Sequence, residues 1–158
     1  LRTGYRYICK TDLAPYEDRA EMCRRAFGHI PGVEVSDIEV RLGGTSYSIN
    51  TVRALKEMYP NEQFFLLIGG DMLFSFDKWY KYESLLKETK VCAAARDGDS
   101  FADMMEYANE LGRIKVLPTQ AIEMSSTEVR NTVAHGGDYF GMVPQGVAEY
   151  IREKGLYR

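Results

Sequence analysis

Apolar positions along this chain switch between a helical and a strand-like period. Between Asp12 and Gly28, the residues Ala20, Cys23 and Phe27 fall at helical spacing, with Pro15 near the start, and predict a helix ending near Gly28. The stretch "VEVSDIEVRL" alternates apolar and polar positions; it predicts a strand running into the loop "GGTSY". From Ser48 the residues Ile49, Val52, Leu55 and Tyr59 return to the helical period until Pro60 stops it. "FFLLI", Phe64 to Ile68, is apolar at every position, which suits a strand of a parallel sheet covered on both faces. It breaks at Gly69, Gly70 and Asp71. Beyond it "KYESLLKE" predicts a short helix, "VCAAA" a buried strand with "RDGD" as its exit loop, "FADMMEYANEL" a helix and "RIKVL" a third strand. The last helix runs from Pro144 to Lys154, with Val147, Tyr150 and Ile151 on one side and Gly155 behind it.

Strands alternating with helices call for a parallel sheet with right-handed crossovers, hence a Rossmann-like α/β sandwich. No repeat, linker or low-complexity tract interrupts the pattern, and 158 residues suit one domain spanning 1–158. In such a sheet the loops that follow the strands leave from one carboxyl edge, where ligands bind. Asp71, Arg96 and the segment Ser125 to Arg130 are therefore expected to converge.

That last segment lies in "MSSTEVRNTVAHGG". Ser125 and Glu128 form an S-x-x-E capping box and Gly136 is a helix stop. Capping leaves Ser126 and Arg130 unexplained. They stand four residues apart, on one face of the first turns, beside the amide hydrogens and positive dipole end of a helix; together they describe a pocket for an anion.

Charge narrows the choice of anion. A formal net charge of −3 and a pI near 5.5 argue against general binding to nucleic acid or to a membrane surface, and leave room for a small anionic ligand held by local donors. No apolar run approaches a membrane span and no signal peptide opens the sequence, so a cytoplasmic location is expected. Cys9, Cys23 and Cys92 are odd in number and widely spaced; all three are expected to be reduced packing residues. His29 and His135 have no partner at metal or triad spacing, and no zinc pattern, P-loop or dinucleotide fingerprint occurs. Gly69 and Gly70 serve either a tight turn or a close approach of nucleotide to backbone. Asp71 is a helix cap or an acceptor for ribose hydroxyls. Trp79, in "FDKWYKYE", is core packing or a surface that stacks on a flat ring.

The run "VSDIEVRLGGTSYSINTVRALKE", "FFLLIGGDMLFSFDKW", "VCAAARDG", "IEMSSTEVR" and "VPQGVAEYIREKGLY" closely resembles bacterial nicotinate-nucleotide adenylyltransferase, of the nucleotidyltransferase superfamily, from Leu13 to Tyr157. The resemblance implies transfer of AMP from ATP to nicotinate mononucleotide, giving nicotinate adenine dinucleotide and pyrophosphate. It implies that Ser125, Ser126, Thr127 and Arg130 hold the ATP phosphates, with Ser126 and Arg130 closest to the chemistry, and that Gly70 and Asp71 face the nucleotide. It also implies that Tyr47 and Ser48 meet the nicotinate carboxylate, that Trp79 stacks on the pyridine ring and that Arg96 lines the same cleft. Magnesium is expected to arrive with ATP, with no metal site built by the protein. Homo-oligomerisation is left open.

The family's amino-terminal strand, glycine turn and His-x-Gly-His have no match here, and of a proline, histidine and lysine run only Lys10 agrees. A first β-α unit of roughly 30 residues or more is thus expected to be missing, from a fragment or from a chain that has lost its catalytic front. Such a chain is expected to be inactive alone. The remaining alternatives are an adenylyltransferase for nicotinamide mononucleotide or phosphopantetheine, and a non-catalytic nucleotide-binding remnant.

Overall fold

The computed structural model describes residues 13–95, 100–119 and 124–158. In chain order its elements are α1 (Tyr16–Phe27), α2 (Ile38–Leu42), α3 (Ser48–Met58), β1 (Phe65–Gly69), α4 (Gly70–Leu73), a 3-10 turn (Phe76–Lys78), α5 (Tyr82–Glu88), β2 (Lys90–Ala94), α6 (Phe101–Leu111), β3 (Ile114–Leu117), α7 (Ser126–Ala134) and α8 (Gln145–Lys154). They fall into two compact units. Among the described residues, 38–119 belong to the first and 13–37 with 124–158 to the second.

The first unit holds the predicted parallel sheet. Its strands lie in the order β1-β2-β3, with Phe65 opposite Lys90 through Gly69 opposite Ala94, and Val91 opposite Ile114 through Ala94 opposite Leu117. Helices separate the strands in sequence, as a parallel sheet requires, because each strand must be re-entered from the same end. Ile68, Val91, Ala93 and Val116 carry the sheet's side of the core and meet Ile49 and Val52 of α3, Leu73 of α4, Leu85 of α5 and Met104 of α6. Arg53 clasps both carboxylate oxygens of Glu88, at 2.7 and 3.2 Å, and ties α3 to the end of α5. That hydrogen bond holds the Glu88 carboxyl below its ordinary value.

Two strand expectations are corrected here. "FFLLI" is not covered on both faces: Ile68 is buried and Leu66 half-buried, whereas Phe65 and Leu67 are 62% and 66% exposed. Successive side chains of a strand alternate between faces, so Leu66 and Ile68 share the face packed by the helices while Phe65 and Leu67 lie on the other. "VEVSDIEVRL" is not a strand; its second half is helix α2, with Ile38 buried and Val40 and Leu42 exposed. An isolated strand needs a neighbour for its backbone groups, while a short helix pairs its own. The tie to the rest of the unit comes instead from Thr51 of α3, whose Oγ1 donates to Glu39 Oε1 at 3.2 Å.

The second unit is helical. Val133 of α7, Tyr139, and Val147, Ala148 and Ile151 of α8 form its core, with Met22 and Ala26 of α1 packed against it. Tyr150 of α8 donates its hydroxyl hydrogen to Asp18 Oδ1 of α1 at 2.8 Å, and the Arg25 guanidinium lies 4.4 Å from the centre of the same ring. Cys23 and Phe27 face outward, so the buried side of α1 is not the predicted Ala20, Cys23, Phe27 stripe; only Ala20 of the three is buried. Cys23 is thereby not a packing residue, Cys92 of β2 is, and Cys9 lies outside the described residues. No helix among the described residues is long and apolar enough to cross a membrane.

Candidate active site

In the first unit, β1 passes straight into α4. Gly69 is extended at φ −81° and ψ 165°, and Gly70 is buried at the start of the helix, so neither uses the left-handed backbone of a glycine turn. Asp71 sits exposed in the first turn of α4, at the carboxyl edge of the sheet. The exits of β2 and β3 meet at the same edge, where Thr119 Oγ1 donates to the Ala95 carbonyl oxygen at 2.6 Å. Arg96 lies outside the described residues.

The start of α3 brings Tyr47 and Ser48 together, with Tyr47 extended at the cap position and Ser48 buried in the first turn. Next to them Ser46 Oγ is buried with no hydrogen-bond partner among the described residues. A buried hydroxyl left so is costly, and a polar ligand atom would relieve it. The Tyr47 ring packs against Tyr80, centre to centre 4.3 Å, and Tyr80 is exposed. Its neighbour Trp79 is only 7% exposed and lies on Phe76 at 5.1 Å. Trp79 has extended backbone, φ −73° and ψ 142°, so adjacent side chains point opposite ways. The tryptophan enters the core and the tyrosine faces out. Sequence reasoning passed over Tyr80; its signal was this change of direction inside "FDKWYKYE". Tyr107 of α6 pins the segment by donating to Asp77 Oδ1 at 3.0 Å, and burial, then this hydrogen bond, push its phenol up.

In the second unit, Ser125 caps α7 as its sequence predicts, its Oγ accepting from the Glu128 amide at 3.1 Å. The helix closes at His135, whose Nδ1 lies 2.8 Å from the Asn131 carbonyl oxygen, and Gly136 follows with φ +70°. Ser126 is exposed in the first turn. Arg130 is half-buried and donates from Nη2 to Thr127 Oγ1 at 3.1 Å. Thr127 and Arg130 line one cavity of about 530 Å³; Ser126 does not. A guanidinium on the first turns of a capped helix, beside its amide hydrogens, is suited to holding phosphate oxygens. Among the described residues no group of three or more His, Cys, Asp or Glu side chains is placed to hold a metal ion.

A parallel sheet in the order β1-β2-β3 with helices between its strands is the fold of a nucleotidyltransferase-like protein, and the chain matches the Cytidylyltransferase-like family over residues 5–132. It is 35% identical over 147 residues to a protein of Thermosipho melanesiensis named "probable nicotinate-nucleotide adenylyltransferase", covering 91% of this chain and 73% of the relative. It is 34% identical over 161 residues to a protein of the same name from Anaeromyxobacter dehalogenans, covering 100% of this chain and 79% of the relative. The chain belongs to the nicotinate-nucleotide adenylyltransferase family. Its fold is that of Plasmodium falciparum nicotinic acid mononucleotide adenylyltransferase, solved with APC and with NaAD: TM-scores are 0.73 and 0.72, both at 17% identity, covering 95% and 92% of this chain and 79% and 75% of those.

Proposed function

We propose that this enzyme joins the AMP part of ATP to nicotinate mononucleotide through the residues described above. The observation that carries this reading is the start of α7, where Ser125 caps the helix and Thr127 holds the Arg130 guanidinium at 3.1 Å. The phosphate of the mononucleotide attacks the α-phosphorus of ATP, a new phosphoanhydride bond forms and the bond to the leaving pyrophosphate breaks. The nucleophile belongs to the substrate, so the protein supplies no covalent residue. Its work is alignment of two phosphates and compensation of growing negative charge. Arg130, Ser125, Ser126, Thr127 and the amide hydrogens of α7 are assigned to the triphosphate, chiefly on the pyrophosphate side. Gly70 and Asp71 are assigned to the nucleotide.

Tyr47 and Ser48 are assigned to the nicotinate carboxylate. Amide hydrogens at the start of α3 favour a carboxylate over a carboxamide, and Ser46 Oγ is a further polar atom in the same turn. Trp79 backs the pyridine-binding surface, with Arg96 assigned to the same side. Magnesium would enter with ATP and would supply compensation of phosphate charge beside Arg130. The enzyme is assigned to the cytoplasm.

Pyrophosphate release by the full-length protein, with nicotinate mononucleotide, nicotinamide mononucleotide and phosphopantetheine offered in turn, tests the reading. The acid mononucleotide is expected to be turned over with the highest kcat/KM. Preference for either other acceptor would overturn the assignment of Tyr47 and Ser48.

A further inference from the structure

The chain turns back on itself after α8. Gly155 and Tyr157 both have left-handed backbone, at φ 61° and 64°, and between them Leu156 donates its amide hydrogen to the Ile151 carbonyl oxygen at 3.1 Å. A glycine takes this conformation freely, but a tyrosine pays a steric penalty and keeps it only where its surroundings over-determine it. Here they do: Leu156 and Tyr157 pack against the core made by Val133, Val147 and Ile151. The turn carries the half-buried Tyr157 to the cavity of about 530 Å³ that Thr127 and Arg130 also line. Burial pushes the Tyr157 phenol up, while the charges of Arg130 and Arg19 pull the other way. With its pKa raised, the hydroxyl is protonated at neutral pH.

We propose that Tyr157 is a positioning residue for Arg130: with Thr127, it limits the directions open to the guanidinium and so holds it ready for a phosphate oxygen of ATP. The proposal rests on the reading of Arg130 as a phosphate-holding residue. A free arginine side chain samples many rotamers, and an anion clamp works best when its donors are already aimed before the ligand arrives. Thr127, three residues earlier on α7, restrains one edge of the guanidinium by a hydrogen bond. Tyr157 lines the same cavity and offers a flat ring against which the rest of the guanidinium can be held.

The test measures MgATP binding by calorimetry, and KM for each substrate, in the full-length protein and in Tyr157→Ala, Tyr157→Phe, Arg130→Ala and the Tyr157→Ala/Arg130→Ala double variant. Tyr157→Leu, which keeps the apolar seal but not the planar ring, takes the place of the alanine variant if that variant does not fold. Tyr157→Ala is expected to weaken ATP binding by about threefold to thirtyfold, as residues coupled through contact do, with the mononucleotide KM within about twofold. Tyr157→Phe is expected to restore ATP binding, because the ring rather than the hydroxyl makes the wall. In the double variant ATP binding should be no weaker than in Arg130→Ala. Equal losses for both substrates, additive losses in the double variant, or ATP binding unchanged in Tyr157→Ala while Arg130→Ala loses it would each overturn the proposal alone. ATP binding unchanged in Arg130→Ala would overturn the phosphate reading, and the proposal with it.

Discussion

Trp79 fills the core and is proposed to back a binding surface, and the two roles are separable by substitution. With 7% of its surface exposed and its ring on Phe76, replacement by alanine is expected to destabilise the first unit by about 3–5 kcal/mol, the range for deleting a large buried ring. Activity lost in that variant would say little about binding. Trp79→Phe keeps most of the packing and is the sharper probe. Separate calorimetric titrations should show nicotinate mononucleotide bound about threefold to tenfold more weakly, the reach of an aromatic contact, with ATP affinity within about twofold. Equal losses for both substrates would leave Trp79 a packing residue and shift attention to Tyr80, whose exposed ring lies against Tyr47.

At the scale of elements, the start of α7 carries a structural cap and is also the segment proposed to hold phosphate, and Ser125 can be changed so that the two separate. Ser125→Ala removes the acceptor for the Glu128 amide and is expected to cost about 0.5–2 kcal/mol of stability. Ser125→Asp keeps a good cap but places a negative charge where phosphate is expected. Thermal unfolding should show the aspartate variant near wild type, and ATP titration should show it weakened more than the alanine variant. An aspartate variant that binds ATP normally would leave the cap without a ligand role. The tie between α1 and α8 has a pH signature. The hydrogen bond to Asp18, then burial, raise the Tyr150 phenol above its ordinary value. Its contribution is thus fully present below the unfolded pKa of about 10 and is lost as pH rises through the higher folded value. Tyr150→Phe should lower the unfolding midpoint by a few degrees at neutral pH, with the gap closing in strong alkali. No gap at neutral pH would mean the hydroxyl contributes nothing, and a gap that persists in strong alkali would mean that its contribution does not rest on the proton donated to Asp18. Elements held by neighbours in sequence were legible: the serine cap of α7, the stop at Gly136, the three strands and helices α5 and α6 follow from local spacing, whereas α4 does not. Features set by distant partners were not. Alternation in "VEVSDIEVRL" does not reveal that its second half winds into helix α2, an apolar "FFLLI" does not say which of its positions are packed, and nothing near Tyr157 in the sequence announces Arg130.

For the whole molecule, the two units differ in how the chain supplies them. The sheet unit draws its described residues from one continuous stretch, 38–119, and each strand pairs with the next strand in sequence. The helical unit is assembled from both sides of that stretch, and its Tyr150–Asp18 hydrogen bond joins residues 132 positions apart. Closing so long a loop costs more entropy before any contact rewards it, unless the intervening stretch has already become compact. The division into units therefore sets a timetable: amides of β1, β2 and β3 should gain protection before those of α1 and α8 in pulse-labelled hydrogen exchange during refolding, and simultaneous protection would refute that order. On a ribosome the same constraint is stricter. Helix α1 is made before all three strands and its partner α8 after them, so while the strands are being made the side of α1 that packs on α8 stays unsheltered and open to chaperones and proteases.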